Sequence, residues 1–394
     1  MQSFAMQSWH RRFGKAAEHR ILRRSGLSPR RPFRNGCNKA FVNWYVSGYP
    51  VVRPVVPHDT ILSIMKSSFA LLLLCVAAWG APKSSALDIY FIDTEGGQAT
   101  LFVSPSGESM LVDTGWPGFE GRDAKRIAAA AKVAGVTQID YLVITHYHVD
   151  HAGGVPQLAA LLPIKHFVDH GASFEHGANE DKLYEAYIKT RAAGEHLEVK
   201  AGDTIPVRGL TVKVLSAGGG LMAGKGAANP FCEGTKLRDM DPTENARSVG
   251  TLITYGKFRI VDLGDLTWNK EFELVCPQNR IGTVDVYLTT HHGMNMSGPE
   301  AIVHALHPKV AIMNNGAKKG GTPEAWKAVH SSPGLKDMWQ LHTSVAGGTE
   351  SNVDEQLIAN PSQDGDAGNY IKLSAHADGK FTVTNSRNGM SRSY

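Results

Sequence analysis

The sequence predicts a layered α/β fold, an αββα sandwich of four layers in which two mixed sheets face each other and helices lie outside. Two features carry this expectation. Short apolar runs of β type alternate with helical segments along most of the chain, and several of those runs stop at an acid or histidine beside a glycine. Composition agrees, because 394 residues at 42% hydrophobic and 20% charged suffice for a sizeable core.

Taken in order, residues 87–113 read as three short strands with a turn at Pro105-Ser106-Gly107. The alanine-rich stretch 122–133 reads as a helix. A strand over 139–145, a histidine-rich loop and a short helix near 155–162 follow, then a strand over 164–170 and a helix near 180–193. Strands at 210–215, 249–255 and 258–263 continue into a second sheet, the last two joined by Gly256-Lys257. Further strands are expected at 284–290, 309–313 and 339–342, with helices near 299–306 and 323–331. The tail 370–384 reads as a closing hairpin through Asp378-Gly379. No internal repeat or coiled-coil heptad is visible.

Chemistry concentrates at 145–154, Thr-His-Tyr-His-Val-Asp-His-Ala-Gly-Gly. His146, His148, Asp150 and His151 fall within six positions, directly after the apolar run 139–144. Residues two apart on an extended chain point the same way, so His146 and His148 can share one ion. Asp150 and His151 lie where the chain turns toward a helix and can face a second. Gly153-Gly154 let the backbone pass close by. Imidazole nitrogen with carboxylate oxygen suits zinc, with manganese or iron as alternatives.

This His-x-His-x-Asp-His pattern resembles the metallo-β-lactamase superfamily, and the resemblance implies the rest of a binuclear site. Asp113, ending the run Met110-Leu111-Val112 before Thr114-Gly115, is implied to orient a ligand histidine from behind. Asp265, after Gly264, is implied to bridge two ions in preference to Asp262. Of the pair His291-His292, His291 is favoured as the last ligand, which leaves His292 behind the ligands or facing substrate, where it or a metal-bound water would give the leaving group its proton. His170 is the candidate third histidine for the first ion, ahead of His166 and His176. In its motifs the chain is most similar to the soluble hydrolase domain of ComEC/Rec2 competence proteins. It shares Asn245-Ala246-Arg247-Ser248, Leu263-Gly264-Asp265, His291-His292-Gly293 and the opening Ile89–Asp93 run. It departs at Gly96-Gly97-Gln98-Ala99, where that subgroup has Gly-Gln-Gly-Asp, and the resemblance spans roughly 87–345.

The N-terminal region has a different character. Residues 1–64 are arginine-rich and nearly free of acids, so they carry about +9 against +4 for the whole chain, which leaves the remainder mildly acidic. They read as a disordered basic extension or as sequence upstream of a true initiator at Met65. Residues 65–86 have the anatomy of a secretory signal peptide: Met65-Lys66, an apolar run over 69–79, and Ser84-Ser85-Ala86 as cleavage site. That run is shorter than the roughly 20 residues of a membrane span. The expected mature domain is therefore 87–394, periplasmic or secreted, with no affinity for nucleic acid or membrane. It retains Cys232 and Cys276, for which export permits a disulfide although two separate thiols are the default expectation.

The functional expectation is an exported hydrolase holding two Zn2+, with Asp150 and His292 in catalytic roles. The ions activate water to a hydroxide nucleophile that attacks an ester-like bond of a small molecule, phosphoester preferred. Lactonase, thioesterase and β-lactamase-like activities are the alternatives, and an exported binding protein on the same scaffold is the non-enzymatic one. The long connection 216–244, rich in glycine, is a candidate substrate lid. The loop Asn314-Asn315-Gly316-Ala317-Lys318-Lys319-Gly320-Gly321 is a candidate anion holder, and His342 is expected to be structural.

Overall fold

The computed structural model describes residues 85–362 and 367–394. All of them belong to one unit, Val76–Tyr394. The expected basic extension and nearly all of the expected signal peptide lie outside the described residues. Among the described residues, no helix is long and apolar enough to cross a membrane.

The first half begins with β1 (Leu87–Phe91), β2 (Thr100–Val103) and β3 (Ser109–Val112), an antiparallel meander. Helix α1 (Arg122–Val133) follows and buries Ala124, Ile127, Ala130 and Ala131, one stripe at helical spacing. Next come β4 (Ile139–Val143), the short helices α2 (Val149–Ala152) and α3 (Val155–Ala159), β5 (Ile164–Asp169), α4 (Ala178–Arg191) and β6 (Glu195–Glu198). Strands β3 to β6 pair in parallel.

The second half repeats this order. Strands β7 (Thr204–Ile205), β8 (Thr211–Ala217) and β9 (Gly220–Leu221) lead to β10 (Ala227–Ala228), then to β11 (Gly250–Tyr255) and β12 (Phe258–Asp262). Helix α5 (Trp268–Val275), β13 (Gln278–Asn279), β14 (Val286–Leu288), α6 (Glu300–Leu306), β15 (Val310–Met313), α7 (Pro323–His330), β16 (Asp337–His342) and β17 (Ile358–Asn360) follow. Strands β8, β11 and β12 are antiparallel neighbours, and β12, β14, β15, β16 and β17 pair in parallel. The expected tail hairpin exists as β18 (Ile371–Ala375) and β19 (Phe381–Asn385). It adds β20 (Ser391–Ser393) and returns to the first sheet beside β1.

The two nine-stranded sheets pack face to face because their strands alternate. Leu87, Ile89 and Phe91 of β1 share one buried cluster with Ile260 of β12, Val286 and Leu288 of β14, Val310 and Ile312 of β15 and Trp339 of β16. The intervening residues face outward. Tyr90 and Leu101 pack with Ile127 of α1, while Val261, Tyr287 and Met313 pack with Leu274 of α5 and Ile302 of α6. Three apolar layers between four layers of structure give the αββα sandwich. Replacing fully buried Ile253 with alanine would remove core volume of the kind that costs roughly 2–5 kcal/mol.

One expectation is corrected here. Cys232 and Cys276 are not separate thiols but form a disulfide, with Cα atoms 5.7 Å apart. The bond closes because β10 pairs with β13, which brings the 222–244 excursion against the end of α5. Asn229 fixes the same corner by donating to the carbonyls of Val275 and Ala301. The candidate lid is thus tethered at its middle.

Candidate metal centre

Every candidate donor lies at or just beyond the C-terminal end of a parallel strand. β3 is followed directly by Asp113, whose φ of +62° is a left-handed conformation uncommon outside glycine. The turn aims its carboxylate across to β4. Oδ1 accepts from the Thr145 backbone N–H at 2.8 Å, and Oδ2 accepts from the Thr145 hydroxyl and from His151 Nδ1, each at 2.7 Å. A carboxylate can only accept, so His151 carries its proton on Nδ1 and presents the lone pair of Nε2 forward. Thr145, having donated to Asp113, accepts from His146 Nδ1 at 3.0 Å and turns His146 Nε2 inward by the same logic. Gly153 and Gly154 have no room for a side chain, since a Cβ on either would stand 2.2 Å from a backbone oxygen.

The opposite wall comes from the second sheet. Gly264, at φ +56°, packs where a Cβ would meet Thr145, and this turn presents Asp265. His291 and His292 follow β14 with φ of +56° and +55°. Two successive left-handed residues fan the rings apart, 6.0 Å between centroids and 73° between planes.

Asp150, His151, Asp265 and His292 converge, with one donor atom from each within 4.8 Å of the others. His151 Nε2 is 3.2 Å from Asp150 Oδ2, from Asp265 Oδ2 and from His292 Nε2. His292 Nε2 is 3.2 Å from Asp150 Oδ2 and 3.4 Å from Asp265 Oδ1. His292, not His291, therefore takes the place in this cluster that the sequence reading gave to its neighbour. His291 stands beside the cluster, its Nε2 3.2 Å from Asp265 Oδ2 and its Nδ1 3.2 Å from the Ser297 hydroxyl.

His146 and His148 meet at 3.1 Å, Nε2 to Nδ1, as a shared ion requires. His170 does not join this close group. Its Nε2 pairs at 3.0 Å with Glu244, a carboxylate only 1% exposed that also accepts from the backbone N–H groups of Tyr147 and Phe174. A buried carboxylate needs such partners, and His170 is the one on hand. Glu175, 2.7 Å from His148 Nε2, completes this side and accepts from the Glu244 backbone N–H. Neither glutamate was singled out from the sequence. The position of Glu244 directly before the Asn245–Ser248 motif was the available signal. His342 is bonded to Asp93 at 2.6 Å, and with Glu95 these two bring a second group of donor atoms within 4.8 Å of one another.

The electrostatics are those of a cation site. Burial pushes the carboxyls of Asp265 and Asp150 up, but the surrounding histidines, joined at Asp150 by Lys319, hold both well below the usual range. Burial pulls His151 down, yet Asp265, Asp150 and Asp113 raise it well above its ordinary value, so its Nε2 takes up a proton unless a cation stands among those carboxylates and leaves that nitrogen its lone pair. His146 is held well below its ordinary value and His291 falls to about 4, both chiefly through burial, so both are neutral and offer lone pairs. Asp262, beside Asp265 in sequence, faces away from the cluster. It accepts from Gln98 Nε2 at 2.9 Å and from the Gly264 N–H at 3.0 Å, and burial raises it to about 6.

Behind Ser297, burial raises the Glu271 carboxyl to about 8. Its folded pKa exceeds its unfolded one, so the native state binds the extra proton and stability falls as pH rises from about 4.5 to about 8. The full span is worth on the order of 5 kcal/mol. Urea unfolding from pH 5 to 9 should show this slope in the wild type and a flatter one in Glu271→Gln. Parallel profiles would contradict the assignment.

Parts of the chain are similar to known proteins. Residues 93–228 match the model of the metallo-beta-lactamase superfamily. Recombination protein 2 of Haemophilus influenzae is 22% identical over 316 residues, covering 79% of this chain and 34% of that protein, so the chain spans about a third of that relative's length. Among solved structures, the metallo-beta-lactamase fold protein YhfI from Bacillus subtilis aligns with a TM-score of 0.40 and 13% identity, covering 65% of this chain and 96% of that one. Zn(2+)-bound PqqB from Methylobacterium extorquens aligns with a TM-score of 0.34 and 15% identity over 51% of this chain and 71% of that one. Over residues 93–228 the chain thus resembles the metallo-beta-lactamase superfamily, and the sandwich of two mixed sheets with a His/Asp cluster at their edges is in keeping with that match.

Proposed function

We propose that the chain is an exported, binuclear zinc hydrolase acting on phosphoesters. One observation carries the metal: four acceptor atoms on Asp150, His151, Asp265 and His292 point at one another in a buried space, and Asp265 Oδ1 lacks any hydrogen-bond partner. Like-signed lone pairs gathered this way call for a cation, and imidazole with carboxylate fits zinc. His146 and His148 would hold one ion, Asp150, His151 and His292 the other, with Asp265 between them. When bound, the pair supplies a Lewis acid and activates water near neutral pH.

The chain's own groups do the remaining work. Asp113 and Thr145 hold the tautomers of His151 and His146, and Asp262 with Gln98 fixes the turn that presents Asp265. The ordered motifs shared with the ComEC/Rec2 type favour a phosphoester. A disulfide in the domain and a first strand opening at Leu87, where the signal cleavage is expected, favour export.

A second reading has its own support. An open cleft of about 800 Å3 beside His148 and Asp150 is lined partly by Pro117, Tyr147, Val149 and Leu183, which suits the acyl part of a lactone or thioester. Zinc-saturated protein should approach two metals per chain and turn over bis(p-nitrophenyl) phosphate faster than lactone, thioester or β-lactam substrates. A plateau at one metal would sink the binuclear site, and preference for the lactone or thioester would install the second reading.

A further inference from the structure

The loop 314–321 brings a cation to the centre that the hydrolytic reading does not use. Lys319 Nζ bonds Asp150 Oδ2 and lies 5.0 Å from the centroid of the Trp116 ring, with 28% of the side chain exposed. Its backbone is held on two sides. The Lys319 carbonyl accepts from the Gly316 N–H at 2.8 Å, and the turn at 95–97 packs so closely that a Cβ on Gly96 would stand 2.8 Å from Lys319 Cβ. Beyond it, Gly321 N–H donates to the His292 carbonyl at 3.0 Å, and a Cβ on Gly320 would collide with that same oxygen. Lys318, next in the chain, is exposed. One lysine of the pair is therefore built into the site and the other is solvated.

We propose that Lys319 is a substrate-binding residue that receives an anionic oxygen, and so selects phosphodiester-type anions over neutral esters. The assignment rests on the metal-centre reading above. Asp150 Oδ2 is at once the atom the ammonium holds and one of the four cluster donors. Two cations on one carboxylate oxygen repel, and the ammonium's other open direction is toward solvent at the mouth of the site. An anionic oxygen placed between the ammonium and the centre relieves that repulsion, whereas a neutral carbonyl does so only weakly. Trp116 supports the lysine stem and head by a cation–π contact, which limits how far it can swing.

The test uses the full zinc-loaded chain and inorganic phosphate as probe, with metal content measured on every variant. By calorimetry, Lys319→Ala should weaken phosphate binding at least tenfold at wild-type zinc content, Lys319→Arg should recover most of it, and Lys318→Ala should follow the wild type. In turnover, the ratio of kcat/KM for bis(p-nitrophenyl) phosphate to that for p-nitrophenyl acetate should fall at least tenfold in Lys319→Ala, mainly through KM. Unchanged phosphate affinity, a parallel loss on both esters, or a Lys319→Ala protein that simply loses zinc would overturn the assignment. Phosphate binding that depends on Lys319 in a protein hydrolysing neither ester would keep the anion site and reject the hydrolase reading.

Discussion

Asp265→Ala is expected to lower zinc content from about two toward one per chain and turnover at least 100-fold. Asp265 touches histidines from both walls of the centre. Its carboxylate lies 3.2 Å from His151 and His291, 3.4 Å from His292 and 4.0 Å from His146, so it reaches both expected ion positions. Removing it leaves two dications with less negative charge between them, and the more weakly held one should dissociate. Losses behind a metal's ligands typically cost about 10–100-fold, which sets the floor for losing a shared ligand. Asp262→Ala is the comparison. It strips Gln98 and Gly264 of their acceptor and should lower stability while zinc content stays near two. Elemental analysis and turnover of both variants decide the matter. Two tightly held metals and near-normal turnover in Asp265→Ala would refute the bridge.

Removing the disulfide should have the largest effect on stability. Cys232 and Cys276 are 44 positions apart, and a loop of that length constrains the unfolded chain by about 4 kcal/mol in the chain-entropy account. The Cys232→Ser/Cys276→Ser variant should therefore unfold at clearly lower urea than the oxidised protein, and reduced wild type should resemble the variant. Limited proteolysis should also cut the variant first within 222–244, although the stacking of Arg238 on Trp268, 3.6 Å from its centroid, still holds one end of that segment. Identical urea midpoints for oxidised and reduced protein would show that the bond does not stabilise the fold.

Much of the architecture was legible because strand alternation and glycine turns are local. The run 139–144 and the cluster after it announced β4 and its donors, and 258–263 announced β12 and the turn to Asp265. What the sequence left open was set by contacts between distant segments. Whether His291 or His292 enters the cluster depends on two consecutive left-handed residues, a conformation uncommon outside glycine and not signalled by two adjacent histidines. His170 was drawn to Glu244, 74 positions away, and no periodicity links them. The cysteines join because the short ribbon of β10 and β13 aligns them, and two-residue strands leave almost no trace in sequence.

The recurrence of one strand plan in both sheets has a consequence for how this centre could arise. In each half an antiparallel pair runs into a parallel set. The turn after the innermost antiparallel strand gives an acid, Asp113 or Asp265, and the next parallel strand ends in histidines. Neither half owns a complete donor set. The centre is a seam property, assembled only when the two moieties close on each other. The family match, which ends at residue 228 early in the second half, takes in the donors crowded into six positions and stops short of the others. The other half scatters its share over Asp265, His291 and His292, too thinly spaced to form a motif of comparable density.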